Sequence, residues 1–189
     1  SGECHRVYFG RSSSFLVNQI FNFKYFDVKE FRILLSQLSD VLHDLKSPLT
    51  DIFQSGIGKL EVKILADKYD LNFPEEIYEL YEWKNGINAE KAETKTIGEL
   101  NLFNLGIFDS LETSLNAYKY YTENGYWEKG LFPLFSSGAG DFYLIDIVDK
   151  STTYKKIYYF GSVCSALYQG GLRQTADRKV FFIPKDSWY

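Results

Sequence analysis

Phe31, Leu34, Leu35, Leu38, Val41, Leu42 and Leu45 recur at intervals of three and four, with polar residues between them. Sustained over about five turns, that period predicts a helix with one apolar face. Asp27 and Glu30 stand ahead of it with the spacing of a capping box, and Ser47-Pro48 ends it. Residues 48–58 read as loop. A second helix is expected from Lys59 to Tyr69 with Leu60, Ile64 and Leu65 inward. A third starts with Pro74 at its first position, turns Ile77, Leu80 and Tyr81 inward, and stops at Asn85-Gly86. Residues 87–96 are polar and read as surface loop, with a strand near 98–104. Asp109 and Glu112 suggest a further capping box, opening a helix with Leu111, Leu115 and Tyr118 inward that ends before Asn124-Gly125.

Beyond Gly130 the pattern changes. Leu131, Phe132, Leu134 and Phe135 form one apolar run, and 142–148 form another, split by the small residues 136–140. This predicts two adjacent antiparallel strands. The second run is apolar on both faces, which places it mid-sheet with cover on both sides, although Asp146 interrupts one face. Further strands are expected at Tyr154–Phe160 and Val180–Ile183, and one or two in the aromatic, irregular residues 1–26. Helices come first, then strands with one helix inserted and no βαβ alternation, which predicts an α+β fold.

The 189 residues suit one domain with a terminal elaboration: an extension over 1–56 carrying the long helix, then a compact unit over 57–189. Aromatic residues reach 18%, with 15 Tyr and 16 Phe. They serve either a core built from Phe and Tyr, the commoner use, or an exposed Tyr-rich surface for a protein partner. Net charge is −4 and no basic stripe occurs, which argues against direct nucleic-acid binding. No apolar run approaches the ~18 residues of a membrane span. No leader-like segment stands at the start, so a cytoplasmic location is expected. Cys4 and Cys164 define no disulfide framework.

Catalytic chemistry finds little footing. His5 and His43 are the only histidines, and neither has metal-ligand spacing beyond the Cys4-His5 neighbours, whose side chains diverge. Nothing around Cys164 marks a nucleophile. The loop 136–141 lacks the Lys-Ser/Thr of a phosphate loop and reads as a hairpin turn. Asp141 and Asp146 fall on opposite strand faces. No enzyme, metal or cofactor is expected. More telling are Glu75, Glu79 and Glu82, four and three apart on the helix face away from Ile77. Like charges at that spacing repel by about 0.2–0.5 kcal/mol per pair. The helix dipole offsets this at Glu75 but not at Glu82. An uncompensated acidic row suits a basic partner, although a solvated face is the commoner explanation. Trp83 and Trp127 are candidate anchors beside it, with Trp127 expected to pack on the sheet edge.

The order of motifs resembles the SUKH superfamily over about residues 57–163. Asn72-Phe73-Pro74-Glu75-Glu76-Ile77, followed by Leu80-Tyr81-Glu82-Trp83-Lys84-Asn85-Gly86, is similar to the family's opening signature. Trp127, the Leu131-Phe132-Pro133-Leu134-Phe135 strand, the Gly140-Asp141 turn and the strand ending in Asp146 match its second half. The resemblance implies a mixed, mostly antiparallel sheet with helices packed around it, working as a binding module. Members include a fungal cell-wall assembly regulator and bacterial immunity proteins that neutralise a toxin domain encoded beside them. Residues 1–50 lie outside that family core. Members follow the last strand with an aromatic-rich helix, where this chain has Gly170-Gly171. The resemblance therefore suggests an immunity-type protein binding a cognate toxin domain, such as a nuclease. Glu75, Glu79, Glu82, Trp83 and Asp141 are the expected contacts. The alternatives are a regulatory scaffold with an endogenous partner and, further off, an enzyme of unrecognised type.

Overall fold

A computed structural model describes residues 27–103 and 106–161, together with the backbone of 180–182. The expectations for residues 1–26, Cys4, His5, Cys164 and Gly170-Gly171 lie outside the described residues. Helix α1 spans Val28–Asp44, and the expected capping box is present: Asp27 Oδ1 accepts from the Glu30 amide at 2.8 Å. Phe31, Leu34, Leu35, Leu38 and Leu42 are buried as the period requires, whereas Leu45 lies just past the helix and is half exposed.

Residues 48–58 are more than a loop. They form a helical turn, α2 (Leu49–Ile52), and strand β1 (Phe53–Ser55), which pairs antiparallel with β2 (Lys84–Ile87). Leu49, Ile52 and Phe53 are buried there, too few residues to carry a readable period. Helix α3 (Lys59–Asp67) is rolled from its expected orientation: Val62 and Ala66 are buried, while Leu60 is 73% and Ile64 52% exposed. The sequence offers two i, i+4 apolar rows. The one with the smaller side chains faces inward, where axes lie 8–10 Å apart according to side-chain size.

Helix α4 (Glu75–Trp83) buries Ile77, Leu80 and Tyr81 as expected. Pro74 stands one residue earlier than expected, as the extended N-cap. The helix ends at Trp83, so Asn85-Gly86 are not its terminating turn but part of β2. The polar segment after β2 folds into short turns, α5 (Ala89–Ala92) and α6 (Ile97–Leu100), each started by a local cap at Asn88 or Thr96. The strand expected at 98–104 is therefore shortened to β3 (Asn101–Phe103), which pairs with β4 (Gly106–Phe108). Helix α7 (Leu111–Glu123) is capped by Ser110, whose Oγ accepts from the Thr113 amide at 3.2 Å; Asp109, the expected cap, is buried instead.

Strands β5 (Leu131–Ser136), β6 (Phe142–Asp146), β7 (Ile157–Phe160) and β8 (Val180–Phe182) complete a six-stranded sheet in the order β3-β4-β5-β6-β7-β8. Every described pairing is antiparallel. Strand β6 is central and covered on both faces, as its two-sided apolar pattern requires. Tyr143, Ile145 and the following Ile147 join the main core with α1 and α4, while Leu144 packs with Trp127 and Phe160 on the other face. Pro133 donates no ladder bond, and the β5–β6 register shifts between Pro133 and Phe135. Gly138 and Gly140 take positive φ in the hairpin turn, as expected of a small-residue connection.

Candidate protein-binding surface

The acidic row on α4 does not form an exposed stripe. Glu75 and Glu82 face outward, but Glu79 is 3% exposed, enclosed where α1 and α3 both reach α4. Arg32 of α1 grips it with two bonds, Nε to Oε2 at 2.7 Å and Nη2 to Oε1 at 2.6 Å. Lys59 of α3 pairs with both Glu75 and Glu79. The Arg32 guanidinium holds the Glu79 carboxyl below the usual carboxylate range; burial opposes this and the Lys59 ammonium reinforces it. The row is thus compensated from within. Glu82 alone among the three has no ion pair among the described residues.

Trp83 is also committed internally. Its Nε1 donates to Ser39 Oγ at 2.7 Å, and its ring meets Phe53 edge-on and stacks on Phe108. It ties α1 to α4 and is only half-buried, so one edge still reaches solvent. Asp141 sits on another element altogether, closing the β5–β6 hairpin: its carbonyl accepts from the Ser137 amide at 2.9 Å and its carboxylate from the Ser137 hydroxyl at 3.3 Å. The five residues read from the sequence are not all brought together.

Two buried carboxylates shape the neighbouring turn. Glu76, 1% exposed, accepts from Lys155 Nζ at 2.7 Å through Oε1, and its Oε2 has no hydrogen-bond partner among the described residues. Asp146 accepts from the Val148 amide at 2.9 Å and the Thr153 hydroxyl at 2.6 Å. These bonds fasten the 147–156 connection onto α4 and the sheet. Through these bonds Asp146 holds the turn that follows β6. Among the described residues no group of three His, Cys, Asp or Glu is placed to hold a metal ion, and no helix is long and apolar enough to cross a membrane.

The aromatic residues are divided between the core and the surface. Among the described residues most Phe and Tyr side chains are buried or packed against the core, but a column of rings runs from the core to the surface at the end of α7. Trp127 is buried against Leu144 and Phe160, not at the sheet edge but on the sheet's face. Tyr121 stacks on it with ring centroids 4.4 Å apart. Tyr120 and Tyr126, 56% and 48% exposed, stack on each other and meet Tyr121 edge-on. The sequence named the Tyr content but not these positions; the signal was the Tyr120-Tyr121 pair at a helix end followed by Tyr126-Trp127. Such rigid, half-exposed tyrosines have the character of interface residues.

The fold is of the α+β class, an antiparallel six-stranded sheet with helices packed against it. The chain belongs to the SMI1 / KNR4 family (SUKH-1), which matches residues 56–180. Among curated proteins no relative matches it.

Proposed function

We propose that this chain is an immunity-type binding protein that neutralises a cognate bacterial toxin domain, such as a nuclease, by forming a stoichiometric complex. Membership of the SMI1 / KNR4 family carries this reading, since the SUKH superfamily includes immunity proteins of that kind. Neutralisation by occlusion needs contact area and complementarity, on the order of 800 Å² from each partner, and no catalytic group. The exposed Tyr120–Tyr126 pair, backed by a packed aromatic column, supports a role in protein recognition. In this reading the chain is not an enzyme, takes no cofactor, acts in the cytoplasm and meets a protein rather than nucleic acid. Charge on α4 is not part of the support, because Arg32 and Lys59 neutralise most of it.

Co-expression with the C-terminal domain encoded by the adjacent upstream gene, with the tag on that neighbour alone, tests the proposal. The expected result is a one-to-one complex, with growth lost when this chain is omitted. A harmless neighbour that forms no complex overturns it and favours a regulatory scaffold with an endogenous partner.

A further inference from the structure

A groove of about 760 Å³ runs between the end of α3, one side of α7 and the adjoining ends of β5 and β6. Tyr118 and Ile147 contribute buried apolar surface to its floor, and Val148, 47% exposed, stands at its edge. Six charged side chains line it: Lys68, Lys119 and Lys129, with Asp70, Glu123 and Asp149. None of the six is in an ion pair among the described residues, although Lys119 and Glu123 are one helical turn apart. On α4, by contrast, Glu75, Glu76 and Glu79 are paired within the protein. The groove's walls are held without help from an occupant. Lys155–Glu76 and Thr153–Asp146 fasten the turn that carries Val148 and Asp149, and the Tyr118 hydroxyl accepts from the Gly130 amide at 3.2 Å.

We propose that this groove seats the partner polypeptide, taking a segment in which an apolar side chain is flanked by both acidic and basic residues. The inference rests on the immunity reading and names the surface it uses. Charge complementarity selects the occupant. A nucleic-acid strand or an anionic membrane would meet three carboxylates, and a uniformly basic segment three lysines; only a chain of mixed charge pairs with both sets. Tyr120 on α7, beside Lys119, and Tyr126 just past the helix are exposed next to the groove residues.

The test is a set of affinities for the neighbouring toxin domain, measured by calorimetric titration against the full chain. Lys119→Glu combined with Lys129→Glu is expected to raise Kd more than tenfold, and Val148→Arg, which fills the groove from an exposed position, to do the same. Glu90→Lys, exposed on α5 outside the groove, is expected to bind as wild type. Circular dichroism melts confirm that each variant is folded. Wild-type affinity in both groove variants, with loss confined to Glu82→Lys, overturns the groove in favour of α4 and leaves the immunity reading standing. Failure of the unaltered chain to form any complex overturns that reading and the groove with it.

Discussion

Two buried carboxylates of this protein are shifted in opposite directions, although burial pushes both upward. Glu79 is buried with two cations in reach, so its charged form is the stable one. Its contribution is present above the carboxylate's ordinary titration range and is lost as pH falls through the depressed folded value. Arg32 and Lys59 are 63% and 38% exposed and regain water when Glu79 is lost, so Glu79→Ala is expected to cost only about 1 kcal/mol in denaturant unfolding, whereas Glu82→Ala should stay within about 0.5 kcal/mol. Asp109 is buried with the Ser136 hydroxyl as its hydrogen-bond partner among the described residues, and desolvation pushes its carboxyl up to about 6. Here the folded state holds the proton more tightly than the unfolded chain. Stability therefore falls as pH rises from the ordinary Asp range near 4 to above 6, by an amount on the order of 3 kcal/mol at full effect. Asp109→Asn should remove that slope and raise stability at neutral pH, as seen in melts across pH 4 to 7. Neither environment was legible in the sequence. The spacing of Glu75, Glu79 and Glu82 gives the side of α4 on which they lie, but not that α1 and α3 both close over part of that side. The cations that compensate Glu79 come from elements distant in the chain.

The elements that were legible are those long enough to show a period. Helix α1, the inward rows of α4 and α7, and the β5–β6 hairpin with its two-sided central strand all follow from apolar spacing alone. The short elements α2, β1, α5 and α6 were not, because they are shorter than any period and are set by caps and by contacts remote in sequence, whereas the equally short β7 and β8 were expected from their aromatic and β-branched runs. Asn85-Gly86 shows this most clearly. The pair reads as a helix-ending turn, yet it lies in β2 and crosses the start of α7, where Asn85 Oδ1 accepts from the Leu111 amide at 3.0 Å. Gly86 has φ +67°, and a Cβ there would stand 2.3 Å from the Asp109–Ser110 peptide. Gly86→Ala therefore combines an unfavourable backbone conformation with a collision against main chain. It is expected to destabilise by more than about 2 kcal/mol, readable as a lowered denaturation midpoint with an unchanged slope.

Taken as a whole molecule, the protein has a larger cooperative unit than its family match. The matched span begins at residue 56, but Phe31, Leu34, Leu35, Leu38 and Leu42 of α1 share one core with Tyr81, Phe108 and Ile145. Each fully buried large apolar side chain contributes about 1.5–3 kcal/mol, so losing five of them exceeds much of a typical domain's 5–15 kcal/mol. Removing residues 1–56 is expected to abolish cooperative unfolding, which a thermal melt of the shortened chain would show. The start of α7 also bears on the time course of folding. Ser110 caps it from the adjacent residue, Asn85 from a strand that must first be docked. Local bonds form early and remote ones late, because closing the intervening chain costs entropy before the contact returns anything. In a chevron experiment Ser110→Ala should slow refolding, while Asn85→Ala should leave refolding nearly unchanged and hasten unfolding. The helix would then begin on its own cap and be locked in direction only at the end, making Asn85 a latch on the lifetime of the folded protein.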